Sequence, residues 1–301
     1  MNAAIVIVQL AILSLGAVFG GAIASQARLR VAIVGFKVTV ENARSTQLEN
    51  ALVEALRRDQ RVSVIDDSLV RPAVSGIGYD GSINMSKDEA RKLGAAIGCD
   101  FFIVGKTEAL SRSDHENESH EEAYAAIMIV DGRSGALQVF DFVSSKAATR
   151  ENAISAVLKN LNERTPSYID QMIHAGASAT PTQLEATSNS EPKNREPIEN
   201  IPADGSRSAA GFTPPEFLNR VRPEYPPQAD LADITATVEA MAVFKSNGQV
   251  GNIEITRWAG FGLEESSERA IRQLKFKSAT RDGRPINVRA LIQYNFKRSS
   301  K

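Results

Sequence analysis

Residues 234–255 read ITATVEAMAVFKSNGQVGNIEI. Ile234, Ala236, Val238, Ala240, Ala242 and Phe244 fall on every second position, the period of a strand with one buried face. Asn247-Gly248 follows, the favoured two-residue hairpin turn. Val250, Ile253 and Ile255 supply a returning strand. Leu263, Ala270, Ile271 and Leu274 then share one side of a helix. Ile286, Val288, Ala290, Ile292, Tyr294 and Phe296 alternate along a last strand. The order β-β-α-β over residues 211–301 predicts a small domain whose final strand can lie at a sheet edge and accept another strand.

Immediately upstream the composition changes. Residues 177–210 hold Pro181, Pro192, Pro197 and Pro202 and almost no large apolar side chains. Such a segment cannot bury enough surface to offset its ordering entropy. It reads as a disordered linker, which as a flexible coil would span roughly 30–35 Å.

Residues 28–176 form a second foldable unit. Val31-Ala32-Ile33-Val34-Gly35-Phe36 is an apolar strand. Leu48, Ala51, Leu52, Ala55 and Leu56 lie on one helical face, and Val62 to Ile65 reads as a short strand. Ser86 and Glu89 make a capping box that opens a helix, and Gly98 suits its end. Phe101-Phe102-Ile103-Val104 is a buried strand. Tyr124–Val130 and Leu137–Val143 flank Asp131-Gly132-Arg133-Ser134-Gly135 as a hairpin. A third helix carries Ala153, Ile154, Val157, Leu158 and Leu161, and Pro166 is expected to stop it. The order β-α-β-α-β-β-β-α predicts a mixed sheet with helices packed on it. The whole is α+β: two domains joined by a linker.

Residues 3–24 carry no charge and are mostly Ala, Ile, Val and Leu. Ala22-Ile23-Ala24 is an A-x-A cleavage pattern, so residues 1–27 read as an export signal. The run is also long enough to span a bilayer, which takes about 20 apolar residues, so an uncleaved anchor is the rival reading. Membrane contact is expected only through residues 3–24, and only if they are retained. The expected location is the periplasm or cell envelope, with inner-membrane anchoring in the uncleaved case.

Lys and Arg total 35 against 36 Asp and Glu, a net charge of −1. That balance excludes a strongly basic nucleic-acid binder. One cysteine, Cys99, excludes a disulfide framework and a multi-thiolate zinc site. Gly76-Ile77-Gly78-Tyr79-Asp80-Gly81 spells G-x-G-x-x-G, but it is preceded by Pro72 and a short irregular segment. It therefore lacks the strand-to-helix setting that a dinucleotide site requires. Asp114, His115, Glu116, Glu118, His120, Glu121 and Glu122 cluster without a recognised ligand spacing and read as a solvated loop between strands. No nucleophile–base–acid set is visible. Neither an enzyme, a cofactor nor a metal is expected.

Two resemblances sharpen this. Residues 30–165 resemble the domain shared by curli-export, flagellar-envelope and Tol-system translocation proteins. The match lies in Val31–Phe36, Ala90-Arg91-Lys92-Leu93-Gly94, Asp100-Phe101-Phe102-Ile103-Val104-Gly105, and Asp131 with Ser134-Gly135. Residues 213–297 resemble the C-terminal domain of the TonB energy-transducer family. The signature is Tyr225-Pro226, Gly248-x-Val250, then Phe276-Lys277-x-Ala279-Thr280-Arg281-Asp282-Gly283-Arg284-Pro285, Val288 and Phe296. Leu274, Ser278 and Ala236 stand where that family usually has Trp, Pro and Gly.

The TonB resemblance implies binding of an extended segment of an outer-membrane receptor by β-strand addition. The implied edge is Asn287, Val288, Arg289, Ala290, Leu291, Ile292, Gln293, Tyr294, Asn295 and Phe296, with Tyr225 and Pro226 near the recognition surface. A transducer would also engage inner-membrane motor proteins. The alternative is a periplasmic scaffold that binds proteins without transmitting force.

Overall fold

The computed structural model describes residues 28–38, 43–113, 119–178, 197–202 and 209–298. Residues 1–27 and most of 177–210 lie outside the described residues, and with them the export-signal reading.

The first unit comprises β1 (Leu29–Val38), α1 (Ala43–Arg57), β2 (Val62–Val64), α2 (Asp67–Gly76), β3 (Met85–Ser86), α3 (Lys87–Ile97), β4 (Phe101–Ser113), β5 (Ser119–Asp131), β6 (Leu137–Ala147) and α4 (Arg150–Ser178). Its sheet runs β2-β1-β4-β5-β6, parallel on the β1 side and antiparallel from β4 onward. Helices α1 and α4 bury Leu48, Leu52, Leu56, Ala153, Val157 and Met172 against one face of it. Local signals act as expected. Ser86 and Glu89 close the capping box of α3, and Gly98 ends that helix in the left-handed conformation at φ 71°. In the hairpin, Asp131 Oδ1 accepts from the N–H groups of Arg133 and Ser134, both at 2.8 Å.

Three local expectations are corrected. Pro166 does not stop α4, which continues to Ser178. Proline costs the helix one main-chain hydrogen bond. The turns beyond it bury Tyr168, Ile169 and Met172, and that burial outweighs the loss. The segment before Gly76-x-Gly78 is a helix, α2, capped by the Asp66 side chain on Ser68 N–H. His120, Glu121 and Glu122 belong to strand β5 rather than to a loop, with Glu122 buried and 3.2 Å from the Arg112 Nε.

The remaining elements are β7 (Ile198–Asn200), β8 (Phe212–Thr213), β9 (Glu216–Phe217), α5 (Pro227–Leu231), β10 (Ala236–Phe244), β11 (Val250–Trp258), α6 (Leu263–Arg272), β12 (Phe276–Lys277), β13 (Thr280–Arg281), β14 (Arg284–Pro285) and β15 (Asn287–Phe296). Strands β10, β11 and β15 form an antiparallel sheet. Its inner face sets Ala240, Ala242, Phe244, Val288 and Ala290 in one core with Ile271 of α6.

The two units are joined by more than a linker. The second face of the first unit's sheet, with Phe102, Val104, Tyr124, Ala126 and Met128, shares one core with Ala229, Ile234, Val238, Trp258, Phe261 and Leu263. Strand β3 extends the second sheet by pairing Met85 with Trp258 and Ser86 with Arg257. Asn84 is used on both ends: its Nδ2 donates to the carbonyls of Thr237 and Trp258, each at 2.8 Å, and its Oδ1 accepts from Thr237 N–H at 3.0 Å. Lys106 Nζ donates to Ala232 O at 2.6 Å and Arg112 Nη2 to Leu231 O at 3.0 Å. Both cations thereby satisfy carbonyls at the end of α5. Phe140 and Phe142 meet the Phe261 ring at centroid distances of 5.1 and 5.8 Å.

Candidate strand-addition edge

The second sheet runs β3-β11-β10-β15-β7. One flank, β11, pairs with β3 only at Arg257 and Trp258, and among the described residues no strand pairs with its outer side from Val250 to Thr256. The other flank is β15, held on its inner side by β10 over the full run from Ala236↔Phe296 to Phe244↔Val288. On its outer side, Asn287, Val288 and Arg289 pair in parallel with Ile198, Glu199 and Asn200. Among the described residues no strand pairs with the outer side from Ala290 to Phe296. Alternate residues there present their main-chain N–H and C=O groups away from β10.

Side chains along this edge divide by parity. Val288, Ala290, Ile292, Tyr294 and Phe296 face α6 and the two cores. Arg289, Leu291, Gln293 and Asn295 are exposed on the opposite face, Leu291 at 54%. Asn295 Oδ1 accepts from the Thr237 hydroxyl at 2.8 Å. Asn287 is buried, and its Oδ1 accepts from Ser246 N–H at 2.8 Å, so its side chain anchors the start of the strand. The edge thus offers main-chain groups backed by an apolar layer, with a mixed polar and apolar outer face.

Tyr225 and Pro226 sit differently. The Tyr225 hydroxyl donates to Ile234 O at 2.5 Å, and its ring lies 6.5 Å from that of Phe296. Pro226 is the N-cap residue of α5. Tyr225 therefore adjoins one end of β15 from within the fold, while Pro226 belongs to the turn into α5. Burial raises the phenol pKa of Tyr225, which keeps it a neutral donor.

Sequence reasoning missed the occupant of the first part of the edge. Ile198–Asn200 falls in the segment read as linker, yet it is a strand on β15. Glu199 meets the Arg281 guanidinium at 2.5 Å, and Arg281 also donates to Ala210 O at 2.9 Å. The available signal was Pro197-Ile198-Glu199-Asn200-Ile201-Pro202, four extended-compatible residues between two prolines.

The sheet is thus β-β-α-β, with its last strand on a flank that is open from Ala290 onward. Residues 221–297 match the family model described as Gram-negative bacterial TonB protein C-terminal. They form a TonB-type C-terminal domain. That family is a Gram-negative envelope domain and is not enzymatic. The TonB-type domain is similar to the C-terminal domain of TonB from Pseudomonas aeruginosa, at 18% identity, 30% coverage of this chain, 91% of the other and a TM-score of 0.26. Other similar structures are lipoprotein GNA1162 from Neisseria meningitidis and hypothetical protein CT253 from Chlamydia trachomatis. The first is 16% identical, covering 48% of this chain and 99% of the other, with a TM-score of 0.32. The second is 7% identical, covering 47% and 99%, with a TM-score of 0.32. No curated protein matches the chain.

Among the described residues, no three His, Cys, Asp or Glu side chains converge as a metal site. None of the described helices is long and apolar enough to cross a membrane.

Proposed function

We propose that this chain is a TonB-family transducer or periplasmic adapter that binds an extended segment of an outer-membrane receptor by strand addition, in support of transmembrane transport. The observation that carries this reading is the unpaired outer side of β15 from Ala290 to Phe296. On the opposite flank, β3 covers β11 only at Arg257 and Trp258, and strand addition is assigned to β15 because that is the edge the TonB resemblance implies. Main-chain hydrogen bonds would supply affinity. Leu291, Gln293 and Asn295 on one face, with Ile292 and Tyr294 on the other, would read alternate side chains of the added strand. Neither catalysis nor a cofactor enters this function.

Amide shifts during titration with synthetic peptides from the N-terminal plug segments of outer-membrane receptors test it. Shifts centred on Ala290–Phe296 are expected. Shifts confined to other elements, or none at millimolar peptide, would refute strand addition here.

A second reading is a scaffold that binds partners without transmitting force. Its support is the shared core of the two units, which ties the TonB-type domain to a globular neighbour. Retention of residues 1–27 and cofractionation with inner-membrane motor proteins favour the transducer. A soluble chain beginning near Arg28 favours the scaffold.

A further inference from the structure

The edge assigned to the partner is already one-third occupied, and by this chain itself. Strand β7 has three residues, and its pairing with β15 is parallel. Pro197 precedes it and Pro202 follows Ile201, so a residue without an N–H stands at each side of the paired stretch. A proline cannot donate to a ladder, which keeps the added strand short and leaves the rest of β15 open.

The side chains are placed as those of a bound strand would be. Glu199, opposite Val288, shares the inner face and meets Arg281. Ile198, opposite Asn287, shares the outer face and is 49% exposed. Arg281 stands on β13, which pairs with β8 at Phe212, and its guanidinium lies 5.2 Å from the centre of the Phe212 ring. The anion site for Glu199 therefore belongs to the folded domain. The strand that uses it is a short tethered segment.

We propose that Ile198–Asn200 is a built-in competitor for the β15 edge, latched by Glu199 on Arg281, which a partner strand must displace to engage the edge from Asn287 to Phe296. This rests on the strand-addition reading. Tethering gives the segment a high effective concentration, while a three-residue ladder with one ion pair keeps it displaceable. The partner it gives way to is an extended segment longer than itself, free of proline along the paired stretch.

The test compares the full chain in three forms: native, Glu199→Lys, and a released form carrying Ile198→Gly, Glu199→Ser and Asn200→Gly. Two readouts are hydrogen exchange at the Asn287–Arg289 amides and binding in trans of a synthetic peptide carrying residues 194–205. Release is expected to speed exchange of at least one of these amides by about tenfold, with the β10 ladder unchanged. The released chain is expected to bind the peptide at Asn287–Arg289, at concentrations where the native chain shows no shift. Glu199→Lys, which leaves the backbone intact, is expected to fall between the two. Equal exchange in all three forms, or equal peptide binding by native and released chains, would overturn the competitor. This outcome is separate from failure of strand addition, which is judged by receptor peptides at Ala290–Phe296.

Discussion

The indole Nε1 of Trp258 donates to the main-chain oxygen of Gly135 at 3.0 Å, from the last residue of β11 to the β5–β6 hairpin of the first unit. Trp258 is 2% exposed and is the only tryptophan in the chain. One side chain thus reports on the junction of the two units. Its fluorescence is expected to shift to the red in the same denaturant transition that abolishes far-UV circular dichroism. Trp258→Ala is expected to cost about 3–5 kcal/mol, the range for deleting a buried large aromatic. Two separated transitions in the native chain would show that the units unfold independently.

Gly260 adjoins the same junction at φ +74°, where a Cβ would lie 2.5 Å from the Phe140 ring. Both the backbone conformation and the space exclude a side chain. Gly260→Ala is expected to lower stability by about 1–3 kcal/mol and to disturb the Phe140–Phe261 contact. Thermal unfolding of the variant measures the first effect, and ring proton shifts of Phe140 the second.

Lys87 Nζ donates to Glu254 Oε1 at 2.8 Å, again between the units. That hydrogen bond holds the Glu254 carboxyl below its usual value of 4.5. A depressed folded-state pKa adds stability above the unfolded value, and this contribution is lost as pH falls through the folded one. Both partners are solvent-accessible, so the contribution is less than about 1 kcal/mol. Between pH 6 and 3, Lys87→Met is expected to flatten the acid loss of stability slightly. A side-chain carboxyl titration of Glu254 should move up towards 4.5 in that variant.

Burial pushes the Cys99 thiol up to about 12, and its Sγ lies 3.8 Å from Gly94 O. The thiolate is the reactive form, and almost none of it is present near neutrality. Iodoacetamide at pH 8 is expected to leave the native chain unmodified and to label it once after denaturation. Rapid labelling of the folded chain would contradict the burial of this residue.

Period-two patterning located β10, β11 and β15. Asn247-Gly248 does lie between the first two, but the connection is a loop over Ser246–Gly248 in which only Gly248 takes positive φ, at 82°, and not the expected two-residue turn. The Ser86–Glu89 capping box and Gly98 delimited α3. These are local signals, and they were readable because each is written within a few residues. The docking of the units was not, since it depends on surfaces distant in sequence. Its trace is the run Ala123–Val130, apolar at every position and buried throughout. Such a run marks a strand covered on both faces, while α1 and α4 account for only one. Strand β7 escaped because three residues are too few to show a period. Of the candidate site, the strand itself was legible. The occupant of its first third was not, because Glu199 and Arg281 are partners only after the chain has folded back.

The shared core has a consequence for biogenesis. A chain made from its N-terminus completes β4, β5 and β6 before residues 229–263 exist. Until those residues arrive, the face bearing Phe102, Val104, Tyr124, Ala126 and Met128 is covered only in part, by Val70, Ala90, Leu93 and Ile97 of α2 and α3. Synthesis and any passage through a translocon therefore include an interval in which the nascent first unit is sticky, a natural client for a holding chaperone. The late-arriving domain is what ends that interval.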